Sequence, residues 1–206
     1  ASPWAPLAAA SGYKQVRLFN TDTEEEFGHL LFEPGVPHVL KFSQNGEILM
    51  AAGGHPGHSG SVVLYDVKTG DVVGRFGDEL DTVLAADISP DQKLVAFGGP
   101  GRTVKAYSTE SGKEVYRIER HTDWVTSVAF SPDGKQIATS DRAGNLYLSS
   151  ADSGGILLSL ESHKGSVRGL SWRSDSKVLA SAGDDGRLIW WNAETGFVAM
   201  QNTNGH

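Results

Sequence analysis

The 206-residue chain contains no cysteine, which excludes disulfides, thiolate metal sites and cysteine nucleophiles. It also has no run of about 18 apolar residues, so no membrane-spanning helix is expected. Basic residues are few: 18 Lys and Arg stand against 25 Asp and Glu, which gives a net charge of -7. Because nucleic-acid binding depends on clustered basic side chains, a nucleic acid is not the expected partner.

The chain does contain a short phrase that repeats at a nearly fixed interval. In most copies the phrase ends in an aromatic residue followed by a small polar one. The copies read VRLFN, VVLYD, VKAYS, LYLSS and LIWWN, and they end at Asn20, Asp66, Ser108, Ser150 and Asn192. The intervals are 46, 42, 42 and 42 residues. Such a period indicates that one supersecondary unit is stacked several times.

Each copy of the unit predicts four short strands. Matched apolar pairs mark the first strand, at Leu40 and Phe42, Ala86 and Ile88, Val128 and Phe130, and Leu170 and Trp172. The next residues read SQNG, SPDQ, SPDG and RSDS, and Pro, Asp and Gly there favour a tight reversal. Four short antiparallel strands in about 42 residues are typical of one blade of a β-propeller. The predicted fold class is therefore all-β.

The repeat arithmetic also predicts the organisation of the chain. The four extra residues of the long interval lie in the segment GGHPGHSG at 53–60, which we interpret as a surface-loop insertion. The first copy lacks its first strand, so we expect four complete blades and a partial one. This is an arc of a larger ring, or about five blades. The predicted boundaries within a single propeller region, 1–206, are 1–32 for the partial blade and 37–76, 82–118, 124–160 and 166–202 for the complete blades.

These features resemble the WD-repeat (WD40) β-propeller family over the whole chain. The family pattern is an early Gly-His, a Ser-Pro-Asp-Gly turn, an Asp-Gly turn and a closing Trp-Asp. The last copy follows it best, with SHKGSVRGLSW, LASAGDDG and RLIWWN. The fourth copy keeps RHTDWVTSVAFSPDG but closes on Ser149 and Ser150.

The resemblance implies a structural tetrad of hydrogen-bonding side chains in each blade. In the last copy His163, Ser181, Asp185 and Trp191 all match the tetrad. In the fourth copy His121 and Thr139 match, whereas Ala143 and Ser149 do not. The third copy has lost the set, with Glu79, Phe97, Gly101 and Tyr107 in its place. Asp185→Ala is therefore expected to destabilise the fold more than Asp141→Ala.

A narrower resemblance concerns the phrases VLAADISPDQKLVAFGGPGRTVKAYST and RHTDWVTSVAFSPDG. They look like bacterial cell-envelope proteins in which WD repeats are fused to a c-type cytochrome module, which would imply a periplasmic setting. The haem-attachment motif C-x-x-C-H is absent from the chain, so no cofactor is expected here.

Candidate catalytic and metal-binding residues are few. His55 and His58 are close enough in sequence to share a metal, but no third ligand is identifiable, so no metal site is predicted. His121 and His163 are expected to bond within their own blades. A serine hydrolase would need a G-x-S-x-G elbow between strand and helix, and the chain has none. No catalytic residues are predicted.

The family resemblance places one set of inter-blade loops on a common face, which is the predicted partner-binding face. Its residues are His55, His58, Arg102, His121, Asp123, Trp124, Asp141, Arg142 and Asp184. Trp124 either anchors a partner there or packs between blades. The predicted function is a non-catalytic scaffold for protein–protein interaction, with protein partners or other chains completing the propeller. The alternative is the propeller portion of a larger envelope redox or hydrolytic protein whose catalytic module lies outside this chain.

Overall fold

A computed structural model describes residues 1–160 and 163–203 of the chain. All regular structure in this part is β, and it forms one three-stranded and four four-stranded sheets in chain order. The strands of the first sheet are β1 (Leu7–Gly12), β2 (Gln15–Asn20) and β3 (Glu26–Leu31), and those of the second are β4 (Val36–Phe42), β5 (Ile48–His55), β6 (Ser59–Asp66) and β7 (Val72–Glu79). The third sheet has β8 (Ala85–Ile88), β9 (Leu94–Gly98), β10 (Val104–Ser108) and β11 (Glu114–Ile118), and the fourth has β12 (Val125–Phe130), β13 (Gln136–Asp141), β14 (Leu146–Ser150) and β15 (Ile156–Ser159). The fifth sheet has β16 (Val167–Trp172), β17 (Val178–Gly183), β18 (Arg187–Asn192) and β19 (Val198–Thr203).

Within each sheet, strands that follow one another in sequence pair antiparallel, so every sheet is a simple meander. The first strands of the last four sheets, β4, β8, β12 and β16, contact one another in succession. Sheets stacked in this way around their first strands form a β-propeller. The predicted all-β class and the count of four complete blades after a partial one are confirmed.

The hydrophobic core is divided into four layers, each lying between two successive sheets. Between the fourth and fifth sheets, Ala138, Leu146 and Leu148 pack against Leu179 and Trp191, and all five are buried. The other three layers repeat this arrangement with Val, Ile, Leu, Met and aromatic side chains. Burial of apolar area is thus shared among the blade interfaces, where it stabilises by roughly 25 cal/mol per Å².

The turns between the first and second strands of the second, third and fourth sheets begin with a serine and have a common hydrogen-bonding pattern that explains their sequence. Ser131 Oγ donates to Asp133 Oδ1 at 2.7 Å and accepts from the Gln136 N–H at 2.9 Å. The turns at Ser43 and Ser89 make the same two bonds. Gly134 ends its turn with a φ of 72°, a conformation that costs glycine little. A Ser-x-Asp or Ser-x-Asn spacing therefore closes the first hairpin in the second, third and fourth sheets.

The four-residue insertion at 53–60 is not a surface loop, which corrects the prediction. It lengthens the hairpin of β5 and β6, because Gly53 pairs with Ser61, Gly54 with Gly60 and His55 with Ser59. The glycines allow neighbouring backbone to pass closely: a Cβ at Gly60 would lie 2.1 Å from the Asp81 carbonyl oxygen, and one at Gly53 would lie 2.1 Å from that of Val36. The extra residues therefore have defined strand conformation.

The five sheets form an arc. Over residues 1–160 and 163–203, no strand of the first sheet makes an extended contact with a strand of the fifth, whereas successive sheets do so throughout. One broad face of the fifth sheet is therefore not covered by another sheet of the described chain.

Candidate functional site

The candidate surface, here called the loop face, is built from two loops of each blade. One loop joins the second and third strands, and the other enters the first strand from the preceding blade. Backbone hydrogen bonds tie the two together: Arg142 N–H donates to the Trp124 carbonyl at 2.9 Å, and Asp184 N–H donates to that of Ser166 at 2.8 Å. In the third sheet the position of Arg142 is Pro100, which has no N–H, and the Leu84 N–H instead donates to the Gly98 carbonyl at 3.0 Å. These bonds hold the loops of one blade side by side.

The fifth sheet holds a continuous side-chain network beneath the loop face. His163 Nδ1 lies 3.0 Å from Asp185 Oδ1, and His163 Nε2 lies 2.7 Å from Ser181 Oγ. Trp191 Nε1 donates to the same Ser181 hydroxyl at 2.8 Å. The structure thus brings all four residues of the predicted tetrad into one chain of hydrogen bonds.

The surroundings of Asp185 favour the ionised form of its carboxyl group. Its burial acts to raise the pKa, but hydrogen bonds from the Lys164 N–H, the His163 ring and the Arg187 N–H outweigh burial and hold the pKa below its usual value. Gly183 makes room for this carboxylate, because a Cβ there would lie 2.5 Å from His163 Nδ1 and 2.7 Å from Asp185 Oδ1.

The fourth sheet has an equivalent network, but its carboxylate comes from a different position. Asp141, the last residue of β13, places Oδ2 3.1 Å from His121 Nδ1, and His121 Nε2 lies 2.9 Å from Thr139 Oγ1. In the repeat, Asp141 corresponds to Gly183 rather than to Asp185. The missing acid at Ala143 is therefore replaced from two residues earlier.

Asp141 is the better-bonded of the two carboxylates, contrary to the sequence expectation. Its oxygens accept hydrogen bonds from the His121 ring, the Thr122 and Ala143 N–H groups, and both the backbone and the side chain of Asn145. Burial acts to raise its pKa, but these bonds, with the His121 bond largest, bring the pKa to about 2. We therefore expect Asp141→Ala to destabilise the fold more than Asp185→Ala, which is the opposite of the order predicted from the sequence.

The third sheet has replaced its network by other contacts. Phe97 and Tyr107 stack with ring centroids 5.5 Å apart, and Lys105 Nζ donates to both carboxylate oxygens of Glu79, at 2.7 and 2.9 Å. A cavity of about 490 Å³ opens above them at the loop face. Its lining includes Gly99 and Gly101, which supply no side chain.

Seven of the nine residues predicted for partner binding have solvent-accessible side chains on the loop face, and two do not. His121 and Asp141 are buried with side chains wholly inaccessible, so their inclusion in the binding face was wrong. Their polar atoms bond within the fourth sheet, which removes them from the surface. The accessible residues are His55, His58, Arg102, Asp123, Trp124, Arg142 and Asp184.

Three of the accessible residues form one cluster. The Arg142 guanidinium carbon lies 5.1 Å from the centroid of the Trp124 ring, within the range of a cation–π contact. Asp123 Oδ2 lies 4.0 Å from Arg142 Nε, and Asp123 Oδ1 accepts from the Trp124 N–H at 2.8 Å. Trp124 is 42% exposed, so its indole is not packed between blades.

The remaining accessible residues form separate contacts. Asp184 makes a two-nitrogen ion pair with Arg168, at 2.9 to 3.1 Å. The rings of His55 and His58 meet edge to face with centroids 4.9 Å apart. Over the described residues, no three His, Cys, Asp or Glu side chains are grouped as metal ligands. The described chain also has no helix that is long and apolar enough to cross a membrane.

One buried polar contact was missed by sequence reasoning. Asp87, in β8, receives a hydrogen bond from the Phe130 N–H of the next sheet at 2.9 Å and an ion pair from Lys41 of the preceding sheet at 2.5 Å. Burial raises the pKa of Asp87, while Lys41 and the backbone donors pull it down. The sequence signal that could have revealed this contact is that Asp87 occupies a position within the first strand of its blade. The other copies have Lys41, Ala129 and Ser171 at that position.

Comparison with known proteins agrees with this architecture. Residues 112–148 and 154–192 match the family model WD40, described as WD domain, G-beta repeat. These two segments cover β11 to β14 and β15 to β18, and thus include both His–Asp networks. The match supports the WD40 family, whose repeats generally mediate protein–protein interaction on non-catalytic scaffolds.

Solved structures show the same fold. The crystal structure of the computationally designed Ika8 protein aligns with a TM-score of 0.81 at 18% identity, over 98% of this chain and 59% of that one. The chain therefore spans about 59% of that protein's length, and an identity this low shows the fold alone. Matches extend to 1640 chains of solved structures, so the fold by itself selects no function. No curated protein matches the chain.

Proposed function

We propose that this WD40 arc is a non-catalytic scaffold that binds a protein partner through its loop face. The observation that carries the proposal is the cluster of Trp124, Arg142 and Asp123. Tryptophan and arginine are among the residues enriched in binding hot spots. Here they lie together, accessible and at the edge of a rigid blade.

The cluster is held in place before any partner arrives. The backbone of Trp124 donates to Asp123 and accepts from Arg142, and the next residue, Val125, is fully buried and donates to the Gly99 carbonyl at 3.0 Å. The exposed indole therefore projects from a fixed backbone. Pre-organisation of this kind reduces the entropy lost on binding, which supports a role in recognition.

Quantitative affinity capture from source cells tests this proposal, using wild type, Trp124→Ala and Phe197→Ala. Phe197 is also an exposed aromatic residue but lies in a turn at the opposite end of its blade. We expect Trp124→Ala to reduce capture of the true partner at least about tenfold, as loss of a hot-spot residue does. Phe197→Ala should retain it, and the melting temperature of Trp124→Ala should equal that of wild type. Equal recovery of every protein by the two variants would contradict the proposal.

A second contact surface is proposed on the open face of the fifth sheet. Ala138, Leu146 and Leu148 of the fourth sheet are fully buried by the fifth sheet. The matching residues of the fifth sheet are Ala180, Leu188 and Trp190, none of which is buried. Paired strands place Trp190 beside Ala180 and Met200, so the apolar side chains share one face. Other chains completing the propeller would cover this face with a further sheet.

The narrower relationship to bacterial envelope proteins with cytochrome modules stays a prediction, as does a periplasmic location. No observation on the described residues favours the alternative of a redox or hydrolytic parent protein over a binding scaffold. Detection of a cytochrome module encoded in the same reading frame would favour that alternative.

A further inference from the structure

The cavity in the third sheet lies where the fourth and fifth sheets have their histidine–carboxylate networks. With the 42-residue spacing, Glu79 takes the place of His121 and His163. Gly99 corresponds to Asp141 of the fourth sheet. Gly101 corresponds to Asp185 of the fifth sheet. Both positions that supply a carboxylate elsewhere are thus glycine in this blade. The space that a network would fill stays open as a cavity of about 490 Å³, a volume typical of ligand sites.

The basic groups lining this cavity are already neutralised. Lys105 is paired with both oxygens of Glu79, and Arg117 is paired with Glu114 at 2.7 and 2.9 Å. Two further carboxylates line the cavity, those of Asp78 and Asp81. Over residues 1–160 and 163–203, neither makes an ion pair with a basic side chain. The unpaired charge in the cavity is therefore negative.

A buried hydroxyl in the lining also lacks a partner. Thr82 is only 6% exposed, and its Oγ1 atom makes no hydrogen bond among the described residues. A buried hydroxyl without a partner destabilises the fold. The Oγ1 atom has under 1 Å² of accessible surface, so a ligand that carries N–H donors into the cavity would give it a partner once the Thr82 side chain turns toward the cavity. The side chains of Leu80, which is 86% exposed, and Phe97 supply apolar lining beside these polar groups.

We propose that this cavity receives an arginine side chain of the protein partner. The guanidinium group has five N–H donors in a planar fork, which suits two carboxylates and a hydroxyl, while its aliphatic stem suits Leu80 and Phe97. The cavity adjoins the Trp124 cluster, because the Gly99 carbonyl in its lining accepts from Val125, the residue after Trp124. The inference rests on the proposed function for the source of the arginine, but the cavity's chemistry is testable without a partner.

The test is a titration of the ¹⁵N-labelled protein with N-acetyl-arginine methylamide, followed by amide chemical shifts. The probe should give saturable shifts centred on Thr82, Gly98, Gly99 and Gly101. N-acetyl-citrulline methylamide, which has nearly the same shape and no charge, should shift these amides at least about fivefold less, since hydrogen bonds to a charged group are the stronger ones. Equal shifts with both probes, or shifts spread over the whole surface, would overturn the proposal.

Two kinds of variant locate the binding. Asp78→Asn with Asp81→Asn should weaken the arginine response at least about tenfold, whereas Asp184→Asn, which removes a carboxylate elsewhere on the loop face, should not. Asparagine at 81 keeps the oxygen that accepts from the Gly57 and Thr82 N–H groups. A response that Asp184→Asn abolishes equally would also overturn the proposal.

A filling variant provides an independent check. Leucine should be tolerated at Gly101, because a Cβ there meets no atom within 4 Å and the φ of this residue is not in the left-handed region. Since Gly101 lines the cavity, Gly101→Leu should block it. Gly28→Leu, at a similarly open strand position in the first sheet, is the matched control. An arginine response that survives Gly101→Leu unchanged would place the binding elsewhere. Because no partner takes part, a failed titration would contradict the cavity assignment and leave the Trp124 test to decide the proposed function.

Discussion

At the residue scale, two aspartates at different repeat positions perform the same structural role. Asp141 and Asp185 each place a carboxylate oxygen within about 3 Å of a histidine Nδ1 atom. Asp141 reaches it from the end of a strand, whereas Asp185 reaches it from the following turn across Gly183. The position of the carboxylate relative to the imidazole is therefore kept although the residue that supplies it differs.

We expect Asp141→Ala to destabilise the fold by about 3 kcal/mol and Asp185→Ala by about 1 to 2 kcal/mol. The reason is that Asp141 is wholly buried and leaves more N–H donors unpaired when it is removed. Urea denaturation of both variants, monitored by tryptophan fluorescence, measures the difference. A larger loss for Asp185→Ala would show that burial does not decide the order.

Sequence spacing found the fifth-sheet network because all four of its residues match one family pattern. It missed the fourth-sheet carboxylate because alignment assigns one column to each role, whereas Asp141 lies two residues before the expected column. It also placed His121 and Asp141 on the surface, since spacing locates a loop but does not tell which way a side chain points. The contact between the accessible side chains of Trp124 and Arg142 also depends on where these side chains point, so spacing alone did not predict it.

At the element scale, the first strands of the blades are joined by Asp87. This carboxylate links β8 to Lys41 of β4 on one side and to the Phe130 N–H of β12 on the other. A second link follows, in which Trp172 Nε1 of β16 donates to the Ala129 carbonyl at 3.1 Å. Polar contacts thus continue across four successive sheets around their inner edge.

Asp87→Asn should cost about 2 kcal/mol although the two side chains have nearly the same shape. In either orientation the amide NH₂ would face a donor, the Lys41 ammonium or the Phe130 N–H, in place of an acceptor. Asp91→Asn is the control, because Asp91 is exposed and asparagine keeps the oxygen that accepts from Ser89 and Lys93. The free energies of unfolding of the two variants are compared. Equal values would mean that the buried link contributes nothing.

The hairpin of β5 and β6 shows where local sequence signals mislead at this scale. Four glycines, a proline and two histidines in eight residues are typical of an irregular loop. The glycines at 53, 54 and 60 are instead required by close backbone contacts with neighbouring segments. These contacts are tertiary, so the composition of the segment alone did not reveal them.

At the scale of the whole molecule, repetition made the fold predictable while leaving its function open. The 42-residue period gave strand order, blade count and the place of the insertion, because each blade meets only its neighbours. The cavity arises from the opposite situation, in which one blade departs from the repeat. Glycines at two unremarkable positions, 99 and 101, became informative only once the networks in the other blades were located.

The open face of the fifth sheet predicts association. Leu188→Glu combined with Met200→Glu should lower the weight-average mass in concentrated samples, because charges replace apolar side chains that would otherwise be buried on contact. Val115→Glu, which alters an exposed apolar residue of the outermost strand of the third sheet, should not. Sedimentation velocity over a wide concentration range gives the measurement. A wild-type chain that stays monomeric throughout would contradict this prediction for self-association.

Gly183 also bears on how one type of blade could arise from the other by mutation. Converting the fifth-sheet network to the fourth-sheet type requires two changes, Gly183→Asp and loss of the acid at Asp185. With the first change alone, the new Cβ would lie 2.7 Å from Asp185 Oδ1, so the new side chain would clash with the carboxylate that is still present. With the second alone, the imidazole loses its acceptor. Each single mutant is thus expected to be less stable than the present fifth-sheet network, so a move of the carboxylate by two residues would have to pass through a less stable protein.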